Sequence, residues 1–235
     1  MEFTLLGAAA VAVAGFWLML RWEAKRGNAA GCSLDLWDVG LTAGAVGLFA
    51  GRLVSMISVG ISPIPNPSQI ILVRSGVSTA GAAIGAAVMF AYLARKSLIE
   101  TADAIGPAIL AGLAGWHAGC LVTDSCLGAV SDFPWAQTVA GSTVTRHPVE
   151  LYAMVLFGVA SIGLALWKQY GRPPSGAVAG FTITALGGIR LVTESVRISL
   201  SGGPIWLYSM ALVMGLGIST ASIVHSRNAR TRRDH

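Results

Sequence analysis

Charge is scarce in this chain. Only 11% of its 235 residues are Asp, Glu, Lys or Arg, far below the roughly 25% of soluble domains. That excludes a domain whose surface must be covered with ionised groups. Cysteine is rarer still, with three in the chain. Cys120 and Cys126 would point about 240° apart on a regular helix, so a bridge between them requires the helix to end there; unpaired apolar thiols are the expectation. A formal charge of +5 suggests a nucleic-acid partner, but Lys and Arg cluster in short connections between apolar runs, a pattern that orients membrane proteins and excludes that reading. What the chain has in abundance is apolar side chains, 54% of the total, in runs approaching the roughly 20 residues that cross a bilayer. The class is an all-α integral membrane protein.

Seven spans are expected, at roughly 3–20, 37–60, 76–94, 104–123, 147–167, 177–197 and 204–224. Basic residues follow the odd-numbered spans: Arg21, Lys25 and Arg26; Arg95 and Lys96; Lys168 and Arg172; Arg227, Arg230, Arg232 and Arg233. The alternate connections carry only Arg74, then Arg146, then Arg197. The positive-inside rule therefore places the N-terminus outside and His235 in the cytoplasm. The chain is expected to be one polytopic domain, 1–235, with a basic cytoplasmic tail at 226–235. The first span has no basic region before it, and Arg21 to Arg26 separate it from Cys32, so it is not expected to be a cleaved signal. Ala29-Ala30-Gly31-Cys32 has the form of a lipoprotein acceptor site, but on the cytoplasmic side Cys32 reads as a plain thiol.

The densest polar motif is Thr145-Arg146-His147-Pro148-Val149-Glu150-Leu151-Tyr152. Charge at the mouth of an apolar helix is expensive and marks a functional site. At about 1.5 Å per residue, Arg52 lies about 22–24 Å above the cytoplasmic end of its span, and His117 and Arg190 about 20 Å. Glu150 enters about 5 Å below the outer face of a core about 30 Å thick, nearly the same level. Arg190, Glu194 and Arg197 are spaced i, i+4 and i+7 and are expected on one helical face. A cationic cavity at outer-leaflet depth, lined by Arg52, Glu150, Arg190 and Glu194 with His117 at its wall, would suit a phospholipid phosphate, which guanidinium binds in a bidentate fork. The alternative is helix-anchoring ion pairs and snorkelling arginines. Gly44, Gly47 and Gly51, Gly81 and Gly85, and Gly112, Gly115 and Gly119 fall at small-xxx-small spacing and are expected to pack helices. His117, Cys120 and Asp124 would share a face as a metal set, but no metal site is expected.

Taken in order, several segments resemble the bacterial prolipoprotein diacylglyceryl transferases: Gly51-Arg52-Leu53, Gly76-Val77-Ser78-Thr79-Ala80-Gly81, the run Gly119 to Gly128, Pro134-Trp135-Ala136, Arg146 to Tyr152, and Gly188 to Arg197. Seven spans with an outside N-terminus is also that family's architecture. The chain departs from the family pattern at Ala80, where the family has a histidine regarded as essential. It also departs at His117 and Cys120 (arginine and asparagine), Ser125 (glutamate), Glu150 (glutamine), Ala153 (glutamate) and Leu186 (tyrosine). Retained are Arg52, Gly128, Arg146, His147, Pro148, Leu151, Tyr152, Arg190, Glu194 and Arg197.

The resemblance implies a reaction in which a lipobox cysteine thiol attacks the glyceryl carbon of phosphatidylglycerol and expels glycerol phosphate. That chemistry requires cations at the phosphate and a base for the thiol, with no cofactor. The base candidates are His147, His117 and Glu150. Arg52, Arg146, Arg190 and Arg197 are the phosphate-binding candidates, with Tyr152, Glu194 and Gly128 in support. The implied partners are phosphatidylglycerol or another anionic phospholipid and a lipobox-bearing precursor, and the implied location is the bacterial inner membrane. Ala80 leaves a second reading open: a catalytically degenerate relative serving as a phospholipid-binding or assembly subunit.

Overall fold

The computed structural model describes residues 2–28, 32–65, 76–119, 127–138, 141–197 and 203–231. Within these, the helices are α1 (Glu2–Lys25), α2 (Leu36–Ser58), α3 (Thr79–Leu93), α4 (Leu98–Gly119), α5 (Val149–Gly171), α6 (Ala177–Glu194) and α7 (Ile205–Thr231). Strands β1 (Gln137–Thr138) and β2 (Thr145–Arg146) pair antiparallel, Gln137 opposite Arg146 and Thr138 opposite Thr145. Helices α2, α4, α5, α6 and α7 are long and apolar enough to cross a membrane, while α3 is apolar but has 15 residues.

Each expected span meets a helix, with informative differences at the edges. Helix α4 begins at Leu98, because its first turns carry Glu100 and Asp103, which hydropathy leaves outside a span. Helix α7 runs on to Thr231, since no glycine or proline interrupts residues 218–231. Helix α6 stops at Glu194, so Arg197 is not on its face as the i+7 spacing implied. Cys120, Asp124, Ser125 and Cys126, like Arg74, Ala29 to Gly31 and Arg232 to His235, lie outside the described residues.

The chain divides into two compact units, residues 32–101 and residues 1–31 with 102–235. In the smaller, Asp35 caps α2 by accepting from the Trp37 and Asp38 amides, and the Ser78 hydroxyl caps α3 by accepting from Gly81 N. Helices α2 and α3 approach through their glycines: a Cβ at Gly51 would sit 2.7 Å from Val77 Cγ1 and 2.8 Å from Ser78 O, and one at Gly81 2.8 Å from Val54 Cγ2. Gly44 does not share this role, because it meets nothing within 4 Å and the spacing alone could not tell which face is covered.

In the larger unit α1 packs on α4 through glycines facing backbone, a Cβ at Gly15 lying 2.8 Å from Ala111 O and one at Gly115 2.5 Å from Val11 O. Between apolar helices in lipid, dispersion from such close approach supplies the attraction. Leu110 of α4 and Ala153 and Phe157 of α5 form the buried centre, with Leu186 and Ile189 of α6 against them. Helix α6 opens at Gly176, which has left-handed φ and no side chain to cap with. Asp103 of α4 does the capping instead, accepting from Gly176 N at 2.6 Å and Ala179 N at 2.7 Å.

Candidate functional site

The approach to α5 is built by backbone before any charge is placed. Gly128 N donates to His147 O (2.8 Å), His147 N to Ala129 O (2.9 Å) and Ala129 N to Val196 O (2.8 Å). Three strands of backbone thus meet at Gly128. A Cβ there would collide with Val149 Cγ2 and Val196 O, so only glycine lets the end of α6 close on the start of α5. Arg146 stands in β2 and donates from Nη1 to Gly128 O at 3.2 Å.

That closure brings Arg197 to Glu150. Glu150 sits in the first turn of α5, 4% exposed, where the positive end of the helix favours a carboxylate. One of its oxygens meets Nη2 of Arg197 and the other meets Nδ1 of His117. His117, 5% exposed near the end of α4, stacks on Phe157 with ring centroids 5.5 Å apart. Glu194 lies 3.8 Å from Arg197 Nε and 3.4 Å from Arg190 Nη2. Arg190 Nη2 also donates to the Tyr208 hydroxyl at 3.0 Å, with its guanidinium 5.2 Å from the Tyr208 ring centre. One polar network therefore runs His117–Glu150–Arg197–Glu194–Arg190–Tyr208, drawing on four helices and the turn after α6.

The network refines the sequence expectation of surplus cation. Glu150 and Glu194 balance Arg190 and Arg197, so the two arginines are held in place by two carboxylates. They are not left bare. Their donors are nevertheless not exhausted. The contacts of Arg190 among the described residues all run through Nη2, and a guanidinium carries five N–H donors. The Arg197 side chain remains 30% exposed.

His147 and Tyr152 belong to a separate aromatic cluster. Tyr152 Oη accepts from Trp135 Nε1 at 2.7 Å and lies 3.1 Å from His147 Nδ1. Phe133 stacks on Trp135 and tilts against His147. Arg52 belongs to the smaller unit, where it is buried and donates to Gly76 O at 2.8 Å. Tyr208 was missed by sequence reasoning, since nothing in its spacing links α7 to Arg190. Lys168 was misread as a loop charge: it lies in α5 and pairs with buried Glu23 of α1 at 2.7 Å.

The chain is similar to known proteins. The family model for prolipoprotein diacylglyceryl transferase matches residues 3–227. A phosphatidylglycerol–prolipoprotein diacylglyceryl transferase of Pseudomonas paraeruginosa is 29% identical over 195 residues, covering 80% of this chain and 73% of that protein. One of Pasteurella multocida is 30% identical over 190 residues, covering 77% and 70%. The match spans the elements that carry the polar network, from α4 through the hairpin to α7, and on that extent the chain belongs to the prolipoprotein diacylglyceryl transferase family.

Proposed function

We propose that the protein moves a diacylglyceryl group from phosphatidylglycerol to the thiol of a lipobox cysteine on a precursor protein, in the bacterial inner membrane. The observation that carries this reading is the Glu-held pair Arg190 and Arg197, two guanidiniums fixed at one end of the larger unit with donors to spare. Fixed cations lower the cost of the negative charge that builds on a departing phosphate. Arg146 supplements them. Glu194 and Tyr152 support the site by holding Arg190 and His147, and Gly128 by letting the backbones close. The proton acceptor comes from His147, His117 or Glu150. The displacement calls for neither metal nor organic cofactor.

The same reading takes the chain as one polytopic domain with seven spans, N-terminus outside and residues 226–235 as a basic cytoplasmic tail. Reporter fusions at the C-terminus are expected to be active only on the cytoplasmic side; activity on the outer face would overturn that topology.

The decisive experiment incubates purified protein with phosphatidylglycerol and a lipobox peptide and follows the peptide mass. Addition of a diacylglyceryl group is expected. Phosphatidylglycerol binding without any peptide product would overturn the transfer reading and leave a lipid-binding relative without catalysis.

A further inference from the structure

Glu194 is engaged by both arginines, and the three remaining candidates for the base, Glu150, His147 and His117, differ in their surroundings. Both oxygens of Glu150 are engaged, one by Arg197 and one by His117, so neither is aimed at an incoming thiol. His147 has Nδ1 against the Tyr152 hydroxyl and its ring among Phe133 and Tyr152, with no contact to Arg190 or Arg197 among the described residues. His117 is different. An ionised carboxylate can only accept, so the hydrogen between it and His117 sits on Nδ1, and the Nε2 lone pair is the basic site. Nε2 has no hydrogen-bond partner among the described residues, while stacking on Phe157 fixes the ring plane. Arg197 holds Glu150 from the far side, which leaves the carboxylate one orientation toward the imidazole.

We propose that His117 is the general base of this transferase and that Glu150 is its positioning residue. The inference rests on the transfer reading above and deepens it. His117 Nε2 takes the proton of the cysteine thiol. The sulfur then forms a bond to the glyceryl carbon that carries the phosphate. The carbon–oxygen bond breaks with its electron pair going to the phosphate oxygen, and glycerol phosphate leaves beside the arginines. Glu150 stabilises the imidazolium formed in that step, the relation of a carboxylate to histidine in hydrolytic triads. The leaving phosphate or water then removes the proton from Nε2, restoring the base.

The test measures kcat and KM for phosphatidylglycerol in the full-length protein in lipid nanodiscs with a lipobox peptide. His117→Gln, which keeps a donor toward Glu150, is expected to lower kcat by about a hundredfold or more while KM changes by less than about threefold. Glu150→Gln should give a smaller kcat loss, and the double variant should be no worse than His117→Gln alone, because the pair acts as one unit. Nitrogen-15 spectra of histidine-labelled protein should show His117 protonated on Nδ1 in the unmodified chain and a mixture of tautomers in Glu150→Gln. Should His117→Gln fail to fold, the spectrum of the unmodified chain decides, and an Nε2–H tautomer there overturns the assignment. Wild-type kcat in a folded His117→Gln overturns the base and leaves the transferase standing. Absence of turnover in the unmodified protein removes both.

Discussion

The larger unit holds two charge clusters, separated along α4 by the 14 residues from Asp103 to His117, about 21 Å of helix. Around Lys168 the charges close on fixed partners. Its Nζ meets Glu23 at 2.7 Å and donates to Ala104 O at 3.1 Å, and Asp103 spends both oxygens on the start of α6. Glu23 is 1% exposed. Around Glu150 the same kinds of residue are arranged as a chain whose cations remain partly accessible. Around Lys168 the cation is buried against its partners, whereas around Glu150 the guanidiniums keep donors over. Both clusters look alike as charges in apolar helices; only their unused donors separate them.

Lys168→Met should break this contrast most severely. It strands a buried carboxylate, and removal of one partner of a buried pair costs about 3–5 kcal/mol. Thermal unfolding in detergent should show the loss, the double variant with Glu23→Leu should recover most of it, and transfer per folded molecule should be unchanged. Loss of lipid binding with stability intact would make this end part of the site.

Arg190→Ala addresses the other cluster. Removing a charged donor should weaken phosphatidylglycerol binding by about 1.5–3 kcal/mol, one to two powers of ten, measured by titration in mixed micelles. An unchanged affinity would reduce the network to a second structural cluster. Asp103→Ala should have the smallest effect, about 0.5–2 kcal/mol of stability from a lost helix cap, with substrate affinity untouched.

Much of the site was legible in the chain because its signals are local. Apolar runs located the seven helices among the described residues, and the i, i+4 spacing identified the Arg190–Glu194 pair. Of the four polar residues expected at one level, His117, Glu150 and Arg190 join one network, while Arg52 lies in the smaller unit. Gly128 stood out as a retained residue, but its reason needed three backbones. Two local readings failed for the same cause. Arg197 was placed on a helix face that ends three residues earlier, and Lys168 was counted as a loop charge although Glu23, 145 residues before it, buries it.

By itself the sequence determined the membrane class, the order of the helices and the residues that would be costly to bury, since hydropathy and periodicity are properties of neighbouring residues. Which carboxylate holds which cation was decided only by the tertiary structure. Glu150 takes His117 from 33 residues before it and Arg197 from 47 residues after it, and Arg190 takes Tyr208 from the next helix. Those partners are chosen by how closely glycine lets backbones approach, and no spacing along one helix encodes that distance.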